Sequence, residues 1–300
     1  MTGVITTGNH PKALWPGMHA FFGATYGEHP EQYRDIFSIE KSSKNYEEDT
    51  KLTGFGMAPV KGEGQAVSYD SESQGFTKRY THVVYGLGYV VTEEEMEDNL
   101  YEIVSRRRIK RLAFSMRQTK ETVSANVLNR AFSSSYLGGD SKELLATDHP
   151  SLAGTYSNEL ATPADFAEAS LEDLIIQISN AVNERGHKIR LMPKKLIHPT
   201  AIQFDVSRVL KSEFTPDTAN NAINAVRLVG LKPVMNNYLT DTDAWFVTTD
   251  APNGLTMFER RARKFEQDND HDTGNAKAKA TERFSVGWTD PLGCFGSEGA

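Results

Sequence analysis

The chain has 300 residues, a net charge of −7 and a single cysteine, Cys294. That length buries a sizeable core as one large or two smaller domains, while one thiol excludes an internal disulfide and any multi-thiolate metal site. The acidic balance argues against a protein whose task is to grip nucleic acid, no apolar run approaches bilayer length, and the first residues lack a signal-peptide pattern.

Residues 1–46 alternate Gly and Pro with aromatic residues, among them Trp15, Phe21, Phe22, Tyr26, Tyr33 and Phe37. So many rings do not suit a disordered tail. The pattern predicts an arm with short helical pieces at Met18–Thr25 and Pro30–Ile36. Its rings would be set into grooves of other elements, on a neighbour or on its own domain.

Two strand-like stretches follow, Leu52–Val60 and Phe76–Val91, the second rich in Phe, Tyr, Thr and Val. Between them lies a polar, glycine-bearing tip, Lys61–Gly75. The simplest arrangement is one long two-stranded hairpin. An isolated ribbon is marginally stable, so it must lie on something. A second copy of the chain is the natural candidate, with the chain's own later domain as the other.

Thr92 to Phe132 contains no Pro or Gly and predicts one helix, about 60 Å long at 1.5 Å per residue. Thr92 and Glu95 have capping-box spacing, and Glu93, Glu94, Glu95, Glu97 and Asp98 favour the positive end of the helix dipole. Ile109, Leu112, Ala113, Met116, Val123 and Val127 share one face. Met96, Leu100, Ile103 and Val104 lie roughly opposite, so the stripe should change sides near residues 105–108. The run Arg106, Arg107, Arg108, Lys110, Arg111 reads as a solvated or interface-facing charged face.

Strands and helices then alternate between about 145 and 250, which argues for an α/β unit. A helix is expected at Leu171–Glu184, capped by Ser170 and ended by Gly186. A strand is expected at Lys195–Pro199, a helix at Thr200–Lys211, a loop at Pro216–Ala225, and strands at Leu231–Tyr238 and Asp243–Thr248. Leu255–Gln267 and Ala276–Trp288 read as an antiparallel pair.

Signatures of catalysis are missing. There is no phosphate-binding loop, nucleophile elbow or His-Glu-x-x-His motif, and the eight histidines show no metal-ligand spacing. Gly54-Phe55-Gly56 and Gly86-Leu87-Gly88 lack the third glycine of a dinucleotide site and are read as easing strand bends. Asp148-His149-Pro150 looks the most catalytic, because a carboxylate beside an imidazole suits acid–base work. Adjacent residues rarely present their side chains to each other, however, and the structural reading is preferred. No catalytic, cofactor or metal residues are assigned. A soluble hydrolase using Asp148 and His149 is the alternative of a different class.

The order of elements, from aromatic arm to hairpin, long helix, α/β unit and returning strand pair, resembles the major capsid proteins of tailed bacteriophages. Three phrases share the likeness: Leu145-Ala146-Thr147-Asp148-His149-Pro150, Pro193-Lys194-Lys195-Leu196-Ile197-His198-Pro199, and Leu239-Thr240-Asp241-Thr242-Asp243-Ala244-Trp245-Phe246-Val247 with Phe258-Glu259-Arg260 after it. The resemblance implies an α+β chain of the Hong Kong 97-type capsid fold. Its parts would be an N-terminal arm (1–46), an extended β-hairpin loop (47–91), a peripheral domain with the spine helix (92–140 and 255–300) and an axial α/β domain (141–254).

The resemblance also implies function. Copies would assemble as pentamers and hexamers into an icosahedral head in the virion, made in the bacterial cytoplasm and enclosing double-stranded DNA without sequence-specific binding. Because the arm begins almost at Met1, a separate scaffolding protein is expected, along with a portal, a decoration protein as a further partner, and no membrane. Loop and arm would supply the subunit interface through Trp15, Phe55, Met57, Val67, Tyr69, Phe76 and Tyr80. An encapsulin-type compartment shell is the nearest alternative.

Overall fold

The computed structural model describes residues 15–28, 30–97, 101–214, 223–271 and 273–300, with side chains at 15–20, 96–97 and 101–106 left aside. The arm forms two helices, α1 (Trp15–Gly27) and α2 (Tyr33–Ile36), and then β1 (Ser38–Lys41). Phe22, Tyr26, Tyr33, Ile36 and Phe37 are all buried against other parts of this chain. Their burial explains why an aromatic-rich arm stays ordered: each large side chain contributes about 1.5–3 kcal/mol when removed from water.

The hairpin is shorter than the sequence suggests. β2 (Tyr46–Leu52) pairs antiparallel with β3 (Gln74–Thr81), Tyr46 opposite Thr81 and Leu52 opposite Gln74. Residues 53–73 form no regular strand, against the expectation for Leu52–Val60. Gly54 has φ +65 and Pro59 lacks a backbone donor, so the ladder cannot continue. The second expected strand divides at His82. That imidazole is buried between the Ser42 and Ser285 hydroxyls, at 3.0 Å from each. Beyond it, β4 (Val83–Val91) leaves the hairpin for another sheet.

The long helix is described in two pieces, α3 (Glu93–Glu97) and α4 (Tyr101–Asn129); residues 98–100 lie outside the described ones. α4 spans about 43 Å. It stops three residues before Phe132, where the Asn129 amide donates to the Tyr238 carbonyl and accepts from the Thr240 N–H. Half of the capping box is present: the Glu95 N–H donates to Thr92 Oγ1 at 3.4 Å. The Glu95 carboxylate instead meets Arg108 at 2.5 Å. The predicted change of stripe cannot be followed, since Leu100 and the side chains of Met96, Ile103 and Val104 lie outside the description.

Next come β5 (His149–Ser151), β6 (Gly154–Tyr156), α5 (Glu168–Ser179), β7 (Pro193–His198), α6 (Gln203–Lys211), β8 (Lys232–Met235) and β9 (Trp245–Thr249). α5 starts and ends earlier than expected. Ser170 sits inside its first turn, where its Oγ accepts the Ala167 N–H at 2.9 Å, and Gly186 serves a later turn at φ +79. Of the expected loop at Pro216–Ala225, residues 216–222 lie outside the description.

The chain closes with β10 (Leu255–Asn269), β11 (Ala276–Trp288) and β12 (Cys294–Ser297). The antiparallel pair is β10 with β11, Leu255 opposite Trp288. One four-stranded sheet has the order β1-β10-β11-β4 and the other β12-β9-β7-β8. The second sheet is apolar on both faces, as a near-continuous hydrophobic run predicts. Ile197 and Phe246 face a core shared with α2, α4, Met257 and Phe284. Leu196, Trp245, Val247 and Phe295 face a different core built with α5 and α6. A third core joins Phe22 and Tyr26 to Ile109, Leu112, Ala113 and Met116 of α4.

Candidate subunit interface

The loop between β2 and β3 carries its apolar side chains outward. Phe55 is 63% exposed, Met57 78%, Val67 55% and Tyr69 91%. Isolated exposed apolar residues are ordinary, but with Val60, also exposed, five large ones fall within fifteen positions, a concentration that costs solubility unless something covers it. Phe76 and Tyr80 behave differently. Phe76 is half-buried beside the Lys51 ammonium. Tyr80 is buried, its hydroxyl 2.7 Å from Thr289 Oγ1 and its ring edge-on to Phe258. Tyr80 therefore belongs to the chain's own interior rather than to the exposed surface expected for an interface residue. Burial pushes its phenol well above the usual range, so it stays neutral and hydrogen-bonded. Trp15 begins α1, and its side chain lies outside the description.

Two anchors position the loop. At its base, Lys51 on β2 reaches Glu184 at 2.7 Å and Asp290 at 3.0 Å. Near its tip, Arg185 meets Asp70 at 2.9 Å and donates to the Ser71 carbonyl at 2.5 Å. The Gly56 and Ser71 amides, with Arg185, hold the Asp70 carboxyl below its ordinary range. With Asp70 exposed and Arg185 partly so, that pair contributes little stability.

The arm is held by a buried charged cluster on α4. Lys120 is 3.0 Å from Glu259 and 3.6 Å from Glu282. Glu282 accepts the Tyr26 hydroxyl at 3.0 Å. Glu121 accepts the backbone N–H groups of Gln32 and Tyr33, both at 3.0 Å, so it caps the start of α2. Arg117 reaches Glu31 at 2.5 Å and lies over the Tyr26 ring. Desolvation raises the Glu282 and Glu121 carboxyls despite these cations. Sequence reasoning missed the cluster, although a signal existed: Lys120 lies four residues after Met116, on the apolar stripe. Of the basic run, Arg108 pairs with Glu95 and Lys110 with Glu28, while Arg107 and Arg111 are exposed.

Asp148 and His149 do not face each other. Asp148 is exposed and meets Lys142 at 2.5 Å. His149 is fully buried, with Nδ1 2.7 Å from Asp140 and Nε2 3.0 Å from Asn158 Oδ1. The Asn158 amide donates to the carbonyls of Leu144, Pro291 and Cys294. His149 thus joins, through Asn158, the segment around residues 140–158 to the closing residues Pro291 and Cys294. Burial pushes the Cys294 thiol up to about 12, leaving it an inert apolar side chain. No group of metal-ligating residues occurs among the described residues.

Residues 75–296, more than half of the chain, match a family model described as phage capsid protein. The chain belongs to this family. Its fold is likewise that of capsid proteins of the Hong Kong 97 type. The capsid protein of a native GTA particle shares 13% identity, with TM-score 0.55 over 91% of this chain and 92% of the other. The mature capsid of bacteriophage PhiM1 gives 12% identity and TM-score 0.54, covering 89% of this chain and 86% of that one. A virus-like particle from Pyrococcus furiosus gives 10% identity and TM-score 0.52 over 94% and 98%. At such identities the likeness is one of fold. No curated protein matches the chain.

Proposed function

We propose that this capsid protein is the major head protein of a tailed bacteriophage. It self-assembles as pentamers and hexamers into an icosahedral shell that encloses double-stranded DNA. A separate scaffolding protein, a portal and a decoration protein are its further partners, and assembly takes place in the bacterial cytoplasm. The carrying observation is the outward-facing row Phe55, Met57, Val67 and Tyr69, which the chain itself leaves uncovered. A neighbouring copy would bury it. Phe204 on α6 and Leu228 in the short helix Val226–Val229 before β8 are also exposed and suit contacts between axial domains at a capsomer centre. The net charge of −7 suits a container that repels packaged phosphate weakly and leaves the genome mobile.

The test replaces residues 57–70 by a short Gly-Ser link and co-expresses the variant with its scaffold. Negative-stain images should show closed shells of uniform diameter for the wild type and none for the variant, whose monomer stays folded. Normal shells from the variant would refute the role of the loop. The fold similarity to a virus-like particle keeps an encapsulin-type shell as the second reading. Purified particles free of DNA but loaded with protein cargo would favour it.

A further inference from the structure

The run Arg260, Arg261, Ala262, Arg263 interrupts the ladder between β10 and β11. The register slips between Glu259 and Arg261, and again between Arg261 and Lys264. Each slip adds one residue to β10 without a partner on β11. Such bulges re-aim side chains and recur beside functional sites. Between the two bulges, Arg261 stands directly opposite Arg283. Like charges in that position repel and weaken the strand pair.

Arg263 has a structural task, since its guanidinium lies over the Tyr26 ring at 4.5 Å. The other three have no matching charge. Arg261 donates to the Thr281 hydroxyl at 3.1 Å, and Arg283 to the Asn45 amide oxygen at 2.6 Å. Among the described residues no carboxylate pairs with Arg260, Arg261 or Arg283, and Arg260 makes no hydrogen bond. The Nε atoms of Arg260 and Arg283 are buried without an acceptor, a costly setting for a charged donor. These two arginines also converge on one imidazole. Burial lowers the His82 pKa first and the Arg283 charge second; Arg260 acts in the same sense and Glu47 against it. Glu47 is itself engaged by the Ser42 hydroxyl and Lys44. The corner at His82 therefore carries unbalanced positive charge, and Arg261 stands exposed across from Arg283.

We propose that Arg260, Arg261 and Arg283 form a phosphate-binding site on the β10–β11 ladder, which takes a phosphate group either as the free ion or within a nucleic acid. A lone carboxylate would leave most of the charge unbalanced. A free phosphate carries close to two negative charges at neutral pH, as do two successive phosphodiesters, and its several oxygens accept from planar guanidiniums in pairs. The bound anion offsets the repulsion between Arg261 and Arg283 that the chain alone leaves in place. With a net charge of −7, the chain as a whole repels phosphate, which confines binding to this site.

The test is calorimetric titration of the purified, unassembled full-length chain with inorganic phosphate in a chloride buffer, and separately with a short DNA duplex. One saturable phosphate site is expected, weakened about tenfold or more in Arg260→Gln and in Arg261→Gln, as loss of a charged donor predicts. Without phosphate, both variants should melt at or above the wild type, because they relieve repulsion. Saturating phosphate should reverse that order by stabilising the wild type alone. Duplex binding that is lost in the same variants assigns the site to nucleic-acid phosphate, and binding of inorganic phosphate alone assigns it to the free ion. No saturable binding of either probe overturns the proposal, as does equal affinity in wild type and variants. Variants that melt below the wild type in both buffers show a purely structural role and overturn it too. So does a loss of shells in these variants when the wild type binds no phosphate, which assigns the arginines to a carboxylate of a second copy. The titration uses unassembled chain, so its result is independent of whether shells form.

Discussion

The loop tip and the arm junction invert each other. At the tip, apolar side chains face water and the holding contacts are exposed ion pairs. At the junction, Arg117, Lys120, Glu121 and Glu282 are buried and paired with opposite charges, a tyrosine hydroxyl and backbone N–H groups of the same chain. The chain therefore completes the arm contact by itself and leaves the loop contact unfinished. A surface finished within one chain supports folding, whereas one left open supports assembly.

The largest test of this contrast is Lys120→Met. It strands the buried Glu282 carboxylate and the partly buried Glu259, and breaking a buried pair costs about 3–5 kcal/mol. Urea unfolding should register that loss; a change below about 1 kcal/mol would mean that the cluster is dispensable. Gly293→Ala comes next. Its Cβ would lie 2.4 Å from the Gly254 Cα, so overpacking by about 1–3 kcal/mol should appear as a lower melting temperature. Tyr80→Phe removes only the hydroxyl bonded to Thr289 and should cost about 1 kcal/mol in the monomer.

His82 adds a pH dependence. Burial, first, and then the Arg283 charge lower its folded pKa below the ordinary 6.5. The group thus contributes stability above pH 6.5 that is lost as the pH falls through the folded value. His82→Gln should flatten the acid limb of a stability–pH curve, and an unchanged limb would show that other groups set it. The smallest monomer effect belongs to Met57→Ser and Tyr69→Ser, within about 0.5 kcal/mol by the same unfolding assay. Yet these two should reduce shell yield most, which is the asymmetry that the comparison requires.

The order of elements was legible because local patterns carry it. The spacing of Ile109, Leu112, Ala113 and Met116 marks a helix face, and the runs around Ile197 and Phe246 mark buried strands. Strand partners were not legible. Phe76–Val91 reads as one strand, and only the distant Ser42 and Ser285 hydroxyls explain its corner at His82. The loop's apolar residues could be named from sequence, but Tyr80 could not be separated from them, since its partner Thr289 is 209 residues away. Lys51 gave no signal at all, because Glu184 and Asp290 meet it only through the tertiary fold. For His149 the neighbours alone point to a structural role, since adjacent side chains diverge, and in the fold it is buried against Asp140 and Asn158.

The hold of Arg185 on the loop has a geometric consequence. Solvent-screened pairs such as Arg185–Asp70 contribute little. A loop tethered so weakly changes its angle at almost no cost, while its base stays fixed at Lys51. In the shell proposed above, identical chains would tile both five-fold and six-fold surroundings, whose curvatures differ. A stiff base with a compliant end lets a single sequence meet both, with the body of the subunit left undeformed.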